Sequence, residues 1–192
     1  AELPAFAGLK QPRYINFLHE SIEQLRVKII FSPSKDKLET LMAALCHIGN
    51  APGIVFCNFK ESIERLSDAL AKANIAHGCF HGGMEQRDRE LALLKFRNGT
   101  HQLILATDLA SRGLDITEIK FILHYQLPNR EQEFTHRNGR TARMNSEGTA
   151  YVLASKHEPL PPFIVAPDEE KLQLAPLPLL SLWRTLHISA GR

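Results

Sequence analysis

A group of cations lies close together in the second half of the chain. The segment His136-Arg137-Asn138-Gly139-Arg140-Thr141-Ala142-Arg143 holds three arginines within seven residues. Arg140 and Arg143 are three positions apart, so a helical turn would project both from one face. Two guanidinium forks on one side suit the γ-phosphate in phosphoryl transfer. The alternative is a basic helix end that interacts with its own dipole, for which one arginine would be enough.

A second polar segment, Thr107-Asp108-Leu109-Ala110-Ser111-Arg112-Gly113-Leu114-Asp115, directly follows a short apolar run. Parallel sheets bind ligands at the carboxyl ends of their strands. At such an end Thr107, Arg112 and Gly113 could each meet a phosphate. Asp115 could accept hydrogen bonds from ribose hydroxyls or hold an arginine. The alternative is a polar turn with a helix cap.

Two other patterns are weaker candidates for chemistry. The sequence has no Gly-Lys pair and therefore no P-loop, so this domain does not hold a triphosphate by itself. The run Phe163–Glu169 looks like a Walker B motif, but Pro167 excludes a central strand there. His77, Cys79 and His81 alternate and would share one face of a strand, as zinc ligands could. Without a fourth ligand nearby, an ordinary strand is the favoured interpretation, and we predict no metal site.

The composition agrees with a globular domain. Among the 192 residues, 44% are hydrophobic and 23% are charged, which excludes disordered, collagenous and disulfide-scaffold classes. The net charge of +2 does not itself indicate nucleic acid binding, although eight of the thirteen arginines fall between positions 87 and 143. No apolar run is long enough for a membrane span. Three cysteines within apolar surroundings predict reduced, buried thiols in a cytoplasmic protein.

Short apolar strands alternate with amphipathic helices, a pattern that predicts right-handed βαβ units and a parallel sheet. The predicted strands are Val27–Phe31, Gly53–Cys57, Ala76–Phe80, Gln102–Ala106, Lys120–Tyr125 and Thr149–Leu153. The predicted helices are Lys35–His47, Lys60–Ala73, Glu85–Arg97 and Arg130–Arg137, with starts after Ser34 and Asn58 and stops at Gly49 and Gly99.

The ends of the chain differ from this pattern. Residues 1–26 read as an inter-domain linker and residues 27–155 as the α/β domain. Six of the eleven prolines lie beyond position 158, so residues 156–181 are predicted to be a proline-rich linker. Residues 182–192 alternate like a strand and are interpreted as the start of a further domain.

Ordered segments of the α/β region resemble the second, C-terminal RecA-like domain of the DEAD-box RNA helicases. They are Ile54–Asn58, His81-Gly82-Gly83-Met84-x-Gln86-x-x-Arg89, Phe96-Arg97-x-Gly99, Ala106–Asp115 and His136–Arg143. The resemblance implies an α/β fold with a parallel sheet of about six strands and helices on both faces. It also implies an ATP-dependent RNA helicase, with ATP and Mg²⁺ held mainly by a first RecA-like domain of the same protein.

The family's functional positions can be carried over residue by residue. Arg140 and Arg143 match its arginine fingers. Gly113, Asp115 and His136 match positions that approach ATP, with His136 coupling the nucleotide to RNA. The positions that match RNA contacts are Gly82, Gln86, Arg89, Thr107 and Arg112. The resemblance further implies single-stranded or duplex RNA as partner. Because nothing in the sequence suggests an obligate dimer or a membrane span, we expect a monomer that does not bind membranes.

Several positions depart from the family pattern. Phe59 replaces a hydroxyl residue, Asn138 replaces isoleucine, and Ala142 replaces glycine, while Gln126 and Gly83 replace acidic residues. Phe59, Asn138 and Ala142 favour the rival hypothesis, a non-catalytic RNA-binding or regulatory module with the same fold. The segment Trp183–Gly191 resembles the first strand of the RRM-like domain of DbpA-type bacterial helicases, which implies ribosomal RNA as the target.

Overall fold

The structure, a computed structural model, describes residues 25–108, 116, 119–141, 147–166 and 168–169. Within these ranges strands and helices alternate from β1 to β4, and one further helix lies between β5 and β6. The strands are β1 (Leu25–Ser32), β2 (Gly53–Cys57), β3 (His77–Phe80), β4 (Leu103–Thr107), β5 (Phe121–His124), β6 (Gly148–Ser155) and β7 (Asp168–Glu169). The helices are α1 (Leu38–Ile48), α2 (Lys60–Lys72), α3 (Gln86–Arg97) and α4 (Glu131–Asn138).

The strands form one sheet in the order β3-β4-β2-β5-β6-β1-β7, and every neighbouring pair is parallel. All five residues of β2 are buried, as expected for a central strand covered on both faces. The predicted parallel α/β fold is therefore confirmed. The short seventh strand at the edge was not predicted.

Alternate residues of the central strands face two separate cores, so helices cover both faces. Val55 of β2 lies in the core that α1 and α2 cover with Leu41, Ile63 and Leu66. Its neighbour Ile54 lies in the opposite core. Phe96 of α3 belongs to that second core, and a third cluster holds Phe134 of α4 against Ile29 and Val152.

The first helix begins later than predicted. The hydroxyl of Ser34 donates a hydrogen bond to the backbone oxygen of Asp36 instead of capping a helix at residue 35. The Asp36 carboxylate accepts a hydrogen bond from the Leu38 amide at 3.1 Å, so α1 begins at Leu38. The predicted helix stop at Gly49 is confirmed, because its φ of 76° is a left-handed conformation that favours glycine.

The described part of the predicted proline-rich linker, 156–181, packs on the domain instead of extending from it. Glu158 accepts hydrogen bonds from the Ser155 amide and from the buried Lys37 ammonium, at 2.9 and 2.7 Å. Ile164 is 4% exposed in the core cluster of α4. Asp168 and Glu169 pair with Lys28 and Ile29 of β1. At the other end, β1 begins two residues before the predicted boundary at 27.

The cysteines also differ in part from the prediction. All three are free thiols, but only Cys57 is buried, whereas Cys79 is half-buried and Cys46 is exposed on α1. Burial raises the pKa of the Cys57 thiol to about 12, so this group is not a nucleophile near neutral pH.

Candidate functional site

The carboxyl ends of β2, β4 and β5 surround one buried guanidinium. Arg137, in the last turn of α4, is 1% exposed. Its Nε donates to Asp108 Oδ1 at 2.7 Å, and its Nη2 donates to Asp108 Oδ2 at 2.5 Å. Nη2 also donates to Asn58 Oδ1 at 2.7 Å, and Nη1 donates to the Gln126 carbonyl at 2.9 Å. We call these four residues, Asn58, Asp108, Gln126 and Arg137, the arginine hub.

The arginine hub satisfies the conditions under which a charge can be buried. The guanidinium has a bidentate carboxylate partner, and its remaining donors reach neutral oxygens. The centroid of the Phe56 ring lies 5.2 Å from Cζ of Arg137, a distance at which a cation is attracted to an aromatic face. Asn58 is fixed in turn, because its amide nitrogen donates to the Leu127 carbonyl at 2.9 Å. The hub therefore holds three strand ends in a fixed arrangement.

The backbone after Arg137 turns sharply and presents Arg140. The Arg140 amide donates to the Arg137 carbonyl at 3.1 Å, and the Thr141 amide donates to the Asn138 carbonyl at 3.0 Å. Asn138 and Thr141 are buried, and the Thr141 hydroxyl donates to the Ile119 carbonyl at 2.6 Å. We call residues 137–141 the finger turn. Arg140 is half-buried on this turn, and His136 is exposed just before it.

A buried histidine lies behind the finger turn. Burial, together with the charge of Arg137, lowers the pKa of His124 to about 3, so its imidazole is neutral at neutral pH. His124 Nε2 lies 2.9 Å from Asn138 Oδ1, and the ring packs between Phe56 and Phe134. The sequence analysis gave this histidine no role.

The predicted RNA-binding residues that the structure describes lie at the ends of two neighbouring strands. Thr107 is the last residue of β4, and Gly82 is exposed in the turn after β3. Gln86 begins α3 and bonds Glu90 at 2.9 Å, while Arg89 donates to the His81 carbonyl at 3.1 Å. These four residues therefore lie at or near the carboxyl ends of the strands. The arginine hub lies at the same ends of β2, β4 and β5.

Four predicted site residues, Arg112, Gly113, Asp115 and Arg143, lie outside the described residues. Of the predicted ATP-contacting set, Arg140 and His136 are described. A groove of about 840 Å³ opens beside the hub, between Asn58, Gln126 and Ser155. None of the predicted site residues that the structure describes lines this groove.

The zinc alternative does not fit the geometry of β3. The two ring nitrogens of His77 are taken by the Ser67 hydroxyl and the Ile75 carbonyl, both at 2.8 Å. Within the described ranges no group of three histidines, cysteines or carboxylates could hold a metal ion. In the same ranges, no helix has the length and apolar character needed to cross a membrane.

The sequence analysis missed the arginine hub. Asn58 and Arg137 both fall within motif segments, but neither has a role in the predicted site, and Asn58 is predicted only to precede a helix. The available signal was positional. Arg137 lies three residues after Phe134, so both face the protein interior from one side of α4.

Fold and site together define a RecA-like domain that carries an arginine-rich turn at the carboxyl edge of its sheet. Residues 36–145 match the helicase conserved C-terminal domain family, and the chain belongs to that family. Its relatives and structural neighbours identify it as a C-terminal RecA-like domain of the DEAD-box type. The DbpA-type resemblance of residues 183–191 stays a prediction, because they lie outside the described residues.

Several curated proteins are similar to this chain. ATP-dependent RNA helicase RhlB of Xanthomonas axonopodis pv. citri is 32% identical over 176 residues, which are 90% of this chain and 31% of that protein. DEAD-box ATP-dependent RNA helicase 21 of Oryza sativa subsp. japonica is 31% identical over 78% of this chain and 23% of its own length. The chain thus spans a third or less of these relatives.

Solved structures show the same fold. The E. coli DEAD-box protein SrmB, crystallised with regulator of ribonuclease activity A, superposes with a TM-score of 0.70 and 27% identity. That match covers 80% of this chain and 95% of the other. A DEAD-box protein from Methanococcus jannaschii gives a TM-score of 0.63 at 26% identity, over 70% of this chain and 37% of the other.

Proposed function

We propose that this chain is the C-terminal half of an ATP-dependent RNA helicase. In this proposal it supplies arginine fingers to ATP that is held mainly by a first RecA-like domain of the same protein. The observation that carries the proposal is the finger turn. Its anchoring residues Arg137, Asn138 and Thr141 are buried and hydrogen-bonded, while Arg140 lies on the turn between them.

The residues on this edge fit the phosphates of ATP. Arg140, and with it Arg143, would bind the γ-phosphate and stabilise the charge that develops during phosphoryl transfer, an effect of roughly 10³–10⁵ in kcat. Gly113 and Asp115 would approach the ribose, and His136 would couple the nucleotide to RNA. Domain closure is what would bring these side chains to ATP.

The same residues do not fit Mg²⁺. The Asp108 carboxylate is bound in both oxygens by Arg137, and no cluster of three metal-binding side chains lies within the described residues. We therefore assign the magnesium that accompanies ATP to the first domain. No step of the mechanism on this chain uses it.

One side of a single-stranded RNA groove would come from Gly82, Gln86, Arg89, Thr107 and Arg112. Contacts with phosphates and sugars hold a strand in place but carry no sequence information. Single-stranded or duplex RNA, including ribosomal RNA, is therefore the proposed partner. We further propose that the protein is a cytoplasmic monomer.

The test is RNA-stimulated ATP hydrolysis by the full-length protein. Arg140→Ala and Arg143→Ala should each lower kcat by roughly 10³-fold or more while nucleotide binding persists. Arg26→Ala is the matched control, because Arg26 is an exposed arginine that pairs with Glu147 at the amino-terminal ends of the strands, opposite the end that carries the finger turn. A wild-type protein without turnover, or finger variants with normal turnover, would instead support the non-catalytic RNA-binding module.

A further inference from the structure

The finger turn is attached to the sheet through three side chains of different chemistry. Arg137 bonds within the arginine hub, Thr141 bonds a backbone carbonyl, and Asn138 bonds the side chain of His124 on β5. Asn138 is 6% exposed and His124 is fully buried. The Asn138–His124 contact is thus the attachment closest in sequence to Arg140 on its amino side, two residues away, whereas Arg137 of the hub is three residues away.

This contact is unusual for its surroundings. The His124 ring lies 4.9 Å from the ring of Phe134 and 6.4 Å from that of Phe56, measured between centroids. Its Nδ1 is buried and has no hydrogen-bond partner within the described residues. A buried polar atom without a partner destabilises a fold, so an apolar pair would pack here at lower cost. The polar pair therefore needs a reason other than stability.

A hydrogen bond constrains the orientation of the two side chains that form it, whereas an apolar contact does not. With Asn138 Oδ1 as acceptor, His124 carries its proton on Nε2, and the 2.9 Å bond fixes the rotation of the Asn138 side chain. The Asn138 carbonyl in turn accepts the Thr141 amide at 3.0 Å, so this residue also shapes the turn around Arg140. Its side chain and its backbone therefore both constrain the same turn.

We propose that His124 and Asn138 are positioning residues that set the direction in which Arg140 leaves the finger turn. The inference rests on the proposed function, because the target of Arg140 is the γ-phosphate of ATP. Buried polar groups that specify one arrangement at some cost in stability are known in other folds. A finger displaced by about 1 Å would lose roughly 100-fold in rate.

The experiment compares RNA-stimulated ATP hydrolysis by full-length variants. Asn138→Leu and His124→Leu remove the hydrogen bond while keeping the site filled. We expect kcat to fall roughly 10- to 100-fold, with the KM for ATP and the affinity for RNA unchanged. His124→Gln keeps an amide donor near the position of Nε2 and should restore most of the lost kcat.

Thr40→Val is the matched control. The Thr40 hydroxyl donates to Ser32 at 2.9 Å, and both residues are buried on α1 and β1, which supply none of the hydrogen bonds described for the finger turn. This variant loses one buried hydrogen bond without changing the size of the side chain, and its kcat should equal that of the wild type. If Asn138→Leu fails to fold, Asn138→Ser is a more conservative substitution at the same position. We expect Asn138→Ser to lower kcat as well.

The outcomes separate this inference from the function on which it rests. If Arg140→Ala retains turnover, the proposed function fails. If Arg140→Ala loses turnover but the Asn138 and His124 variants keep wild-type kcat, only the positioning role is overturned. The role is also overturned if His124→Gln is as slow as His124→Leu, or if Thr40→Val slows equally.

Discussion

Arg137 and Asp108 form a bidentate ion pair that joins the last turn of α4 to the end of β4. Asp108 directly follows Thr107, which we assign to RNA, and Arg137 lies three residues before Arg140, which we assign to ATP. One pair of side chains therefore connects the two parts of the proposed site. A substitution of Arg137 or Asp108 should therefore affect both the residues assigned to RNA and those assigned to ATP.

Arg137→Met should destabilise the protein by about 3–5 kcal/mol, because it leaves the Asp108 carboxylate without its buried partner. Urea unfolding at neutral pH measures the change. Arg26→Ala is the control, since it breaks a 3.4 Å ion pair whose side chains are 66% and 76% exposed. Exposed pairs contribute about 0–1 kcal/mol. Equal effects of the two variants would show that burial of Arg137 does not determine its contribution.

The stability of the protein should fall in mild acid because of His124. Burial and the charge of Arg137 lower its folded pKa to about 3, while Asn138 and Asp108 act in the opposite direction. The unfolded imidazole has a pKa near 6.5, so the unfolded state takes up a proton first as the pH falls. The free energy of unfolding is therefore unaffected by His124 above pH 6.5. It decreases progressively as the pH falls from 6.5 to 3.

At pH 5 this loss amounts to about 2 kcal/mol relative to pH 7.5. The measurement is urea unfolding of wild type and His124→Gln at both pH values. The glutamine variant cannot titrate, so its pH dependence should be weaker by about 2 kcal/mol. Parallel curves for the two proteins would rule out a buried neutral imidazole.

Gly53→Ala should destabilise β2 by about 1–3 kcal/mol, because a Cβ at this position would overlap the buried ring of Phe121. Gly78→Ala is the control, since the nearest atom to its Cβ would lie 3.4 Å away. Thermal unfolding compares them. The double variant Gly53→Ala, Phe121→Leu should recover part of the loss, and strict additivity would contradict the overlap.

Ending the chain after Ser155 should destabilise the domain, whereas ending it after Glu169 should retain the described contacts. The shorter chain lacks Ile164 and leaves the buried Lys37 ammonium without the Glu158 carboxylate. Loss of that partner alone should cost about 3–5 kcal/mol. Comparing the urea midpoints of the two truncated chains tests this boundary. Equal midpoints would show that residues 156–169 do not stabilise the domain, as expected of a linker that begins at residue 156.

The central strands could be predicted from the sequence because their residues are apolar without interruption. The bounds predicted for β2, Gly53–Cys57, agree with the structure at both ends, and those predicted for β4 and β5 differ by one residue at each end. Where strands and helices alternate along a sequence, a short run of apolar residues is typical of a parallel strand that is covered by helices on both faces. Local patterns failed where a side chain acts at long range. Asn58 looks like a helix cap, but its side chain accepts a hydrogen bond from Arg137, 79 residues away. Ser34 also looks like a cap, but there a local bond wins, because its hydroxyl donates to the backbone oxygen of Asp36.

The candidate site was predictable only in part, for a related reason. Arg140 was found because its spacing resembles that of a known motif. Arg137 and His124 were missed because charged and polar residues are expected at the surface. Both become intelligible only once the fold brings Asp108, Asn58 and Asn138 around them. Pattern analysis also cannot find β7, since two residues carry no periodicity.

The order of the strands has a consequence for nascent chains. β1 pairs with β6, the last long strand, so a chain emerging from the ribosome has no partner for β1 until nearly the whole domain is made. Asn58, Asp108 and Gln126 emerge before α4 delivers the guanidinium that binds them. Contacts between such distant residues form late in folding. The surface that we assign to ATP and RNA is therefore completed only at the end of synthesis of the domain, and a partly made chain does not carry it.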